Sequence, residues 1–532
     1  MIQPTHSKRA MLVALALGSG LLAACQADRT ADNAVPVQTA QTTATQAAVQ
    51  LPATPTRALG LDTSCDTSTP YTALWFQCEA SSFSLLSKGI QESLTNTRLQ
   101  QAVITQSAIN TPVPLVQALS NPDRISSLLS PSAYWGLTLV GDPFRYPNAD
   151  GPNGARFYNT EADVVPVLFH DHTCAKLDGT VWMPKNTPEG TKLPAVVINN
   201  GSLVGTQPLY YWAAQALVRA GYMVLTFDQR SQGRSDTLGA RGEIGSNLDP
   251  SVYWLNLVDA IDFLHSSPSK NHPWQSLCAE TASTHAFNPL HAFLDKERLG
   301  VAGHSFGAAG ASFAQSYGAK GAKPWPGKIS KNNPIDVIVA WDALGHPDSP
   351  INANGGTFTL GLGNYAGPVY NLTATPYPAI IPRLPALDLA SDYGVFSAPY
   401  LLGKNPERYL TASRFWRDNG QPAMVVVPHA STHTQYSQGL LLPSSSWCAS
   451  NSEEVCDSGW VIRMAENYTV AWFDRWLKQQ GEKGFDTADQ RLLDNGNTLT
   501  GAANMSWHYR SARYFSDRSG KAHDCDNLRS DC

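Results

Sequence analysis

From about Asp163 the chain alternates between two rhythms. Short unbroken apolar runs, suited to strands buried on both faces, trade places with stretches whose apolar residues recur at helical spacing. VVPVLF (164–169) and LDGTVWMP (177–184) predict a pair of strands around a turn. AVVINNG (195–201), YMVLTFD (222–228), LGVAG (299–303), IDVIVAW (335–341), PALDLA (385–390) and AMVVVP (423–428) predict further strands. Between them, Pro208–Ala220, Val252–Leu264, the small-residue run after Ser305 and the amphipathic NYTVAWFDRWLK (467–478) predict helices, the first closed by Gly221. Strands that alternate with helices imply right-handed crossovers. The predicted class is therefore α/β, a mostly parallel central sheet with helices on both faces.

The flanks read differently. Lys8 and Arg9 precede the apolar run MLVALALGSGLLAA, too short to span a bilayer comfortably and ending in small residues, as a secretory signal does. Its end, Leu22-Ala23-Ala24-Cys25, resembles a bacterial lipobox. That resemblance implies a signal peptide over 1–24, lipidation of Cys25 and a place in the bacterial cell envelope. Gln26 rather than Asp after the cysteine resembles lipoproteins sent on to an outer membrane. Residues 25–60, rich in Ala, Thr, Gln and Pro, predict a solvated tether. An N-terminal extension over 61–162 holds one helical stretch, Phe83–Ile104, and a Gly/Pro/Asn-rich passage at 147–154. The regular α/β pattern occupies 163–480, and 481–532 reads as a stapled tail. No later stretch is apolar for long enough to be a membrane helix, so the lipid would be the sole anchor.

Composition narrows the classes. Of 532 residues 42% are apolar and 15% charged, enough for a sizeable core. Lys plus Arg (38) fall short of Asp plus Glu (43), leaving −5 and no basic excess to track a phosphate backbone. A nucleic-acid partner is excluded on that ground. Beyond Cys25 eight cysteines remain, an even number that reads as disulfides outside the cytoplasm. Proximity favours Cys65–Cys78, Cys448–Cys456 and Cys525–Cys532, which leaves Cys174 with Cys278. No spacing suggests a metal site; His170-Asp171-His172 reads as a surface turn.

The chemistry lies at strand ends. Gly303-His304-Ser305-Phe306-Gly307 sits between an apolar strand and a helix, where a sharp elbow would push the serine hydroxyl out of the sheet. A serine hydroxyl is a poor nucleophile without a histidine to take its proton and a carboxylate to orient that histidine. His433 follows the last predicted strand of the α/β region at a distance that reaches back over the elbow, whereas His429 is close to the strand end and reads as structural. Two acids stand at strand ends in between, Asp342 and Asp392; Asp388, inside its strand, is a weaker candidate.

The segments LDKERLGVAGHSFGAAGAS, FDQRSQGRSD, ASTHTQYS and TVAWFDRWLKQ resemble the α/β-hydrolase superfamily, in particular its secreted serine-esterase branch. The GHSFG elbow, the WDA after the following strand and the Ser-Asp-Tyr further on are similar to platelet-activating-factor acetylhydrolases, and cutinase-like polyester hydrolases share the layout. The resemblance covers roughly 163–480. It implies hydrolysis of carboxylic esters, whether small-molecule, lipid or polyester, through an acyl-enzyme and without a cofactor. In cutinase-like enzymes the acid falls two residues beyond Asp392, where this chain has Gly394. In the acetylhydrolase pattern it falls at Asp342, which therefore leads, with Asp392 as the alternative. By the same resemblance the oxyanion would be held by the backbone of Phe306 and of Ser202, although Asn200 stands where the family has His. Asp228 and Gly233 read as structural loop residues. The insertion over 343–384, with Phe358, Tyr365, Tyr370 and Tyr377, is either a substrate-binding cap or a decorated loop. A peptidase or amidase would use the same triad, and a non-catalytic surface protein could be built on the same scaffold.

Overall fold

The computed structural model describes residues 63–95, 97, 101, 141–142, 146 and, from 157 onward, all but 203–204, 244, 246–248, 279–283, 348–356, 360–367, 372–376, 395–399, 401–404, 438–459, 498 and 531. The signal, the tether, Cys25, Tyr365 and the Cys448/Cys456 pair lie outside the described residues.

Helix α1 (Ala73–Thr95) precedes strands β1 (Ala162–His170), β2 (Lys176–Pro184) and β3 (Leu193–Asn199). Then come α2 (Tyr211–Arg219), β4 (Met223–Phe227), α3 (Val252–His265), β5 (Leu294–His304), α4 (Phe306–Ser316) and β6 (Ile335–Trp341). A small hairpin, β7 (Thr357–Thr359) with β8 (Pro368–Asn371), lies in the insertion and sets Phe358 opposite Tyr370 in register. The chain continues through β9 (Ala386–Leu389), α5 (Leu410–Asp418), β10 (Ala423–Val426), α6 (Trp460–Leu477), α7 (Ala488–Leu493), β11 (Ala512–Ser516) and β12 (Ala522–Cys525).

All strands but the hairpin form one ten-stranded sheet in the order β1-β2-β4-β3-β5-β6-β9-β10-β11-β12. The middle run from β4 to β10 is parallel, and antiparallel strands finish both edges. The physical reason is in the side chains. β3, β4, β9 and β10 are buried at every position, which only a sheet covered on both faces allows. Alternate residues feed two cores. Val197, Leu225, Val301, Ile338 and Val425 pack with α3, α4 and α5, while Val196, Val224, Ala302, Val339 and Val426 pack with α2 and α6. Each such valine, leucine or isoleucine side chain contributes roughly 1.5–3 kcal/mol by leaving water.

Three readings of the flanks change. The N-terminal helix begins at Ala73, ten residues before the expected Phe83. Its first turns carry no clean apolar period, but the Cys65–Cys78 disulfide and the burial of Trp75 and Ser82 pin them. The segment after 480 is not a tail alone, because β11 and β12 complete the sheet. These strands are too short and too mixed in polarity to announce themselves. The Cys525–Cys532 staple closes behind them, and buried Arg529 links this end to Asp66 at 2.7 Å. Finally, the His170–His172 turn is largely interior, with only His172 partly exposed. His170 and Asp171 are fully buried, and Cys174 just beyond them is joined to Cys278. Among the described residues no helix is long and apolar enough to cross a membrane.

Candidate active site

β5 ends at His304 and α4 begins at Phe306, so Ser305 alone makes the turn, with φ 55° and ψ −123°. A non-glycine residue there is strained, and the neighbours hold it. The Ser305 N–H donates to the Trp341 carbonyl at 3.0 Å, and its own carbonyl accepts from Ala308 and Ala309. The flanking glycines make the turn possible. A Cβ on Gly303 would lie 2.4 Å from the Gly307 carbonyl oxygen, and one on Gly307 would lie 2.1 Å from that of Asn199. The elbow is thereby pressed against the end of β3.

His433 opens a short helical turn (His433–Tyr436) after β10, closed by reciprocal hydrogen bonds between Thr432 and Gln435. Its Nδ1 lies 2.5 Å from Asp342 Oδ2. Asp342 directly follows β6 at φ 58°, held by its N–H on the Leu389 carbonyl (2.9 Å). Ser391 donates to the same carboxylate through its N–H at 2.8 Å and through its hydroxyl. Burial pushes the Asp342 carboxyl up. The hydrogen bond and charge of His433, with both Ser391 bonds, outweigh burial and hold it below the usual carboxylate range. An ionised carboxylate only accepts, so Nδ1 of His433 carries its proton and Nε2 is left as the basic atom. The ring stands beside the elbow, 4.5 Å centroid to centroid from that of His304.

The other acids do different work. Asp392 is fully buried. It accepts from the Ala430 N–H (3.1 Å) and the Ser506 hydroxyl (2.7 Å), and its own N–H donates to Ser431 Oγ. It braces the loop that carries His433 rather than the imidazole itself. Asp388, inside β9 and paired in register with Ala340, is pushed up to about 8, first by burial and then by the charge of Asp342. His429 is buried against Trp460 and Trp507, with Nε2 3.0 Å from Ser82 Oγ, in keeping with a structural part.

Phe306 is the first residue of α4, and its ring stacks on Tyr253 at 5.3 Å. The loop after β3 comes up against the same elbow: a Cβ on Gly201 would be 2.8 Å from His304 Nδ1. Ser202 follows directly. Asn200 turns inward and donates to the Phe227 carbonyl at 2.7 Å. Asp228 accepts from the N–H groups of Gln207 and Arg234, and a Cβ on Gly233 would collide with its carboxylate, as loop-building residues do. Tyr377, at the end of the insertion, stacks on Phe313 and leans on Trp254.

Among the described residues one group has metal-like spacing: Asp171, His172 and Asp259. Its oxygens are already engaged. Arg230 and Asn256 donate to Asp171 Oδ2, Thr173 to Oδ1, and Trp274 and His172 to the two oxygens of Asp259. A buried guanidinium supplies the positive charge a cation would bring. The group anchors the turn beside the Cys174–Cys278 bridge.

Sequence reasoning missed Ser391, Tyr210 and the inward role of His304. Ser391 stands next to Asp392 in ASDYG, but nothing local says that its partner is 49 residues away.

The parallel sheet, its crossing order and the strand–serine–helix elbow are those of the α/β-hydrolase fold. No protein-family model and no curated protein sequence matches the chain. Among solved structures, an acylaminoacyl peptidase from Pyrococcus horikoshii is similar at 14% identity and a TM-score of 0.38. The match covers 62% of this chain and 44% of that one, so the chain spans less than half of the peptidase's length.

Proposed function

We propose that this chain is a serine hydrolase that cleaves carboxylic esters through an acyl-enzyme. The contact between Asp342 and His433, set beside an elbow that presents Ser305, carries the reading. Ser305 Oγ attacks the ester carbonyl while His433 Nε2 takes its proton. Asp342 keeps the imidazole in the Nδ1–H form and stabilises the imidazolium as it forms. The oxyanion is held by backbone N–H groups of Phe306 and Ser202, donors fixed before charge develops. His433 then returns the proton to the leaving alcohol, and a water repeats the sequence to free the acid. These steps require no cofactor.

The lipobox-like Leu22-Ala23-Ala24-Cys25 supports a lipid anchor in a bacterial envelope, and the disulfides fit an oxidising compartment.

Labelling by a fluorophosphonate tests the proposal. Wild type should react at one site and Ser305→Ala should not. Wild type that resists the probe, or a Ser305→Ala variant that still takes it, overturns the assignment. Matched ester and anilide substrates then separate esterase from amidase, and faster turnover of the anilide would move the activity to the amide class.

A further inference from the structure

Two buried side chains outside the triad join the three segments that build the site. Tyr210, fully buried just before α2, has its hydroxyl 3.0 Å from the Gly201 nitrogen and 2.9 Å from His304 Nδ1. The second ring nitrogen of His304, Nε2, is 3.0 Å from the backbone carbonyl oxygen of His433. A carbonyl only accepts, so Nε2 carries the proton and Nδ1 is an acceptor. Tyr210 must then donate to Nδ1, and its oxygen receives the Gly201 N–H. One connected path results, from Gly201 N–H through the tyrosine hydroxyl to His304, and from His304 Nε2–H to the His433 carbonyl.

We propose that Tyr210 and His304 are positioning residues, a neutral strut that fixes the oxyanion loop, the nucleophile elbow and the base loop relative to one another. The inference rests on the serine-hydrolase reading above. Each end of the strut touches a different part of the machinery. Gly201 adjoins Ser202, His304 adjoins Ser305, and the accepting carbonyl belongs to the base itself. The fit is tight at Gly201, where a Cβ would meet both His304 Nδ1 and the Tyr210 hydroxyl at 3.0 Å or less. The tyrosine ring lies parallel to Trp341, the residue before Asp342, at 6.2 Å. Neutrality also has a cause. Burial, reinforced by the charge of His433, pushes His304 down to about 3, so no second cation forms beside the imidazolium of the catalytic cycle. The x position of G-x-S-x-G is thus put to use from inside the sheet.

Tyr210→Phe keeps the ring against Trp341 and removes only the hydroxyl. On a chromogenic ester it should lower kcat about 10- to 100-fold, with KM within about two-fold and a parallel fall in the rate of fluorophosphonate labelling. His304→Gln can still donate toward the His433 carbonyl and should retain more kcat than His304→Ala. Thermal unfolding of each variant shows that the fold is intact, and if Tyr210→Phe does not fold, the two His304 variants are compared in its place. Full kcat in a folded Tyr210→Phe or His304→Ala, or a change confined to KM, overturns the strut and leaves the hydrolase reading standing. Wild type that neither cleaves esters nor reacts with the probe overturns both.

Discussion

Ser82 on the N-terminal helix and His429, four residues before the proposed base, meet at 3.0 Å. Glu79, one turn earlier, accepts the Tyr400 N–H at 2.9 Å, and Leu86 packs with Tyr393 and Ala430. The extension is therefore built into the wall of the base loop. Ser82→Ala removes the hydroxyl that meets the buried His429 imidazole and should cost about 1 kcal/mol of stability. Glu79→Ala removes the acceptor of the part-buried Tyr400 N–H and the carboxylate beside buried His508, and should cost about 1–3 kcal/mol. Thermal unfolding measures both, and ester turnover should fall further in Glu79→Ala than in a variant of exposed Leu74.

The two acids are separable by kinetics. Asp342→Asn favours the wrong tautomer of His433 and should lower kcat about 10²- to 10⁴-fold with a small change in unfolding temperature. Asp392→Asn weakens the brace on Ala430 and Ser506, so it should lose about 1–3 kcal/mol of stability and keep most of its kcat. The reverse pattern would transfer the acid's role to Asp392.

Asp388 predicts a pH dependence of stability. Its Oδ1 has no hydrogen-bond partner among the described residues, and its folded value of about 8 lies above the ordinary one of 3.8. Between those values the folded state holds a proton that the unfolded state has released. The stability that Asp388 contributes should therefore be greatest below about pH 4, fall as pH rises to about 8, and level off above. Asp388→Asn removes this contribution, so its gain in unfolding temperature over wild type should be larger at pH 9 than at pH 5. Equal differences at both values would sink the assignment.

The Cys174–Cys278 bridge closes a loop of sequence separation 104. Replacing both cysteines by serine should lower stability by up to about 4.7 kcal/mol on the chain-entropy account. Denaturant unfolding of the oxidised, reduced and double-serine proteins would show it. Ester turnover below the transition should stay close to wild type, because the bridge anchors the Asp171 turn and not the elbow.

Much of this molecule is determined by local sequence. The central strands had to be buried on both faces because AVVIN, MVLTF and AMVV offer no polar side to water, and burial at every position of β3, β4 and β10 follows. The elbow was legible too, since only glycine fits at 303 and 307 when Asn199 and the helix come so near. Chain order placed His433 after the last parallel strand. The choice of acid was not legible, because Asp342 and Asp392 both end strands. Tertiary contact is what separates them: the Asp342 carboxylate lies on His433 Nδ1, while Ser506, far along the chain, donates to Asp392. The last strands, the docking of α1 and the Tyr210–His304 path were likewise invisible. Each includes hydrogen bonds between residues about ninety or more positions apart, whose partners no local pattern encodes.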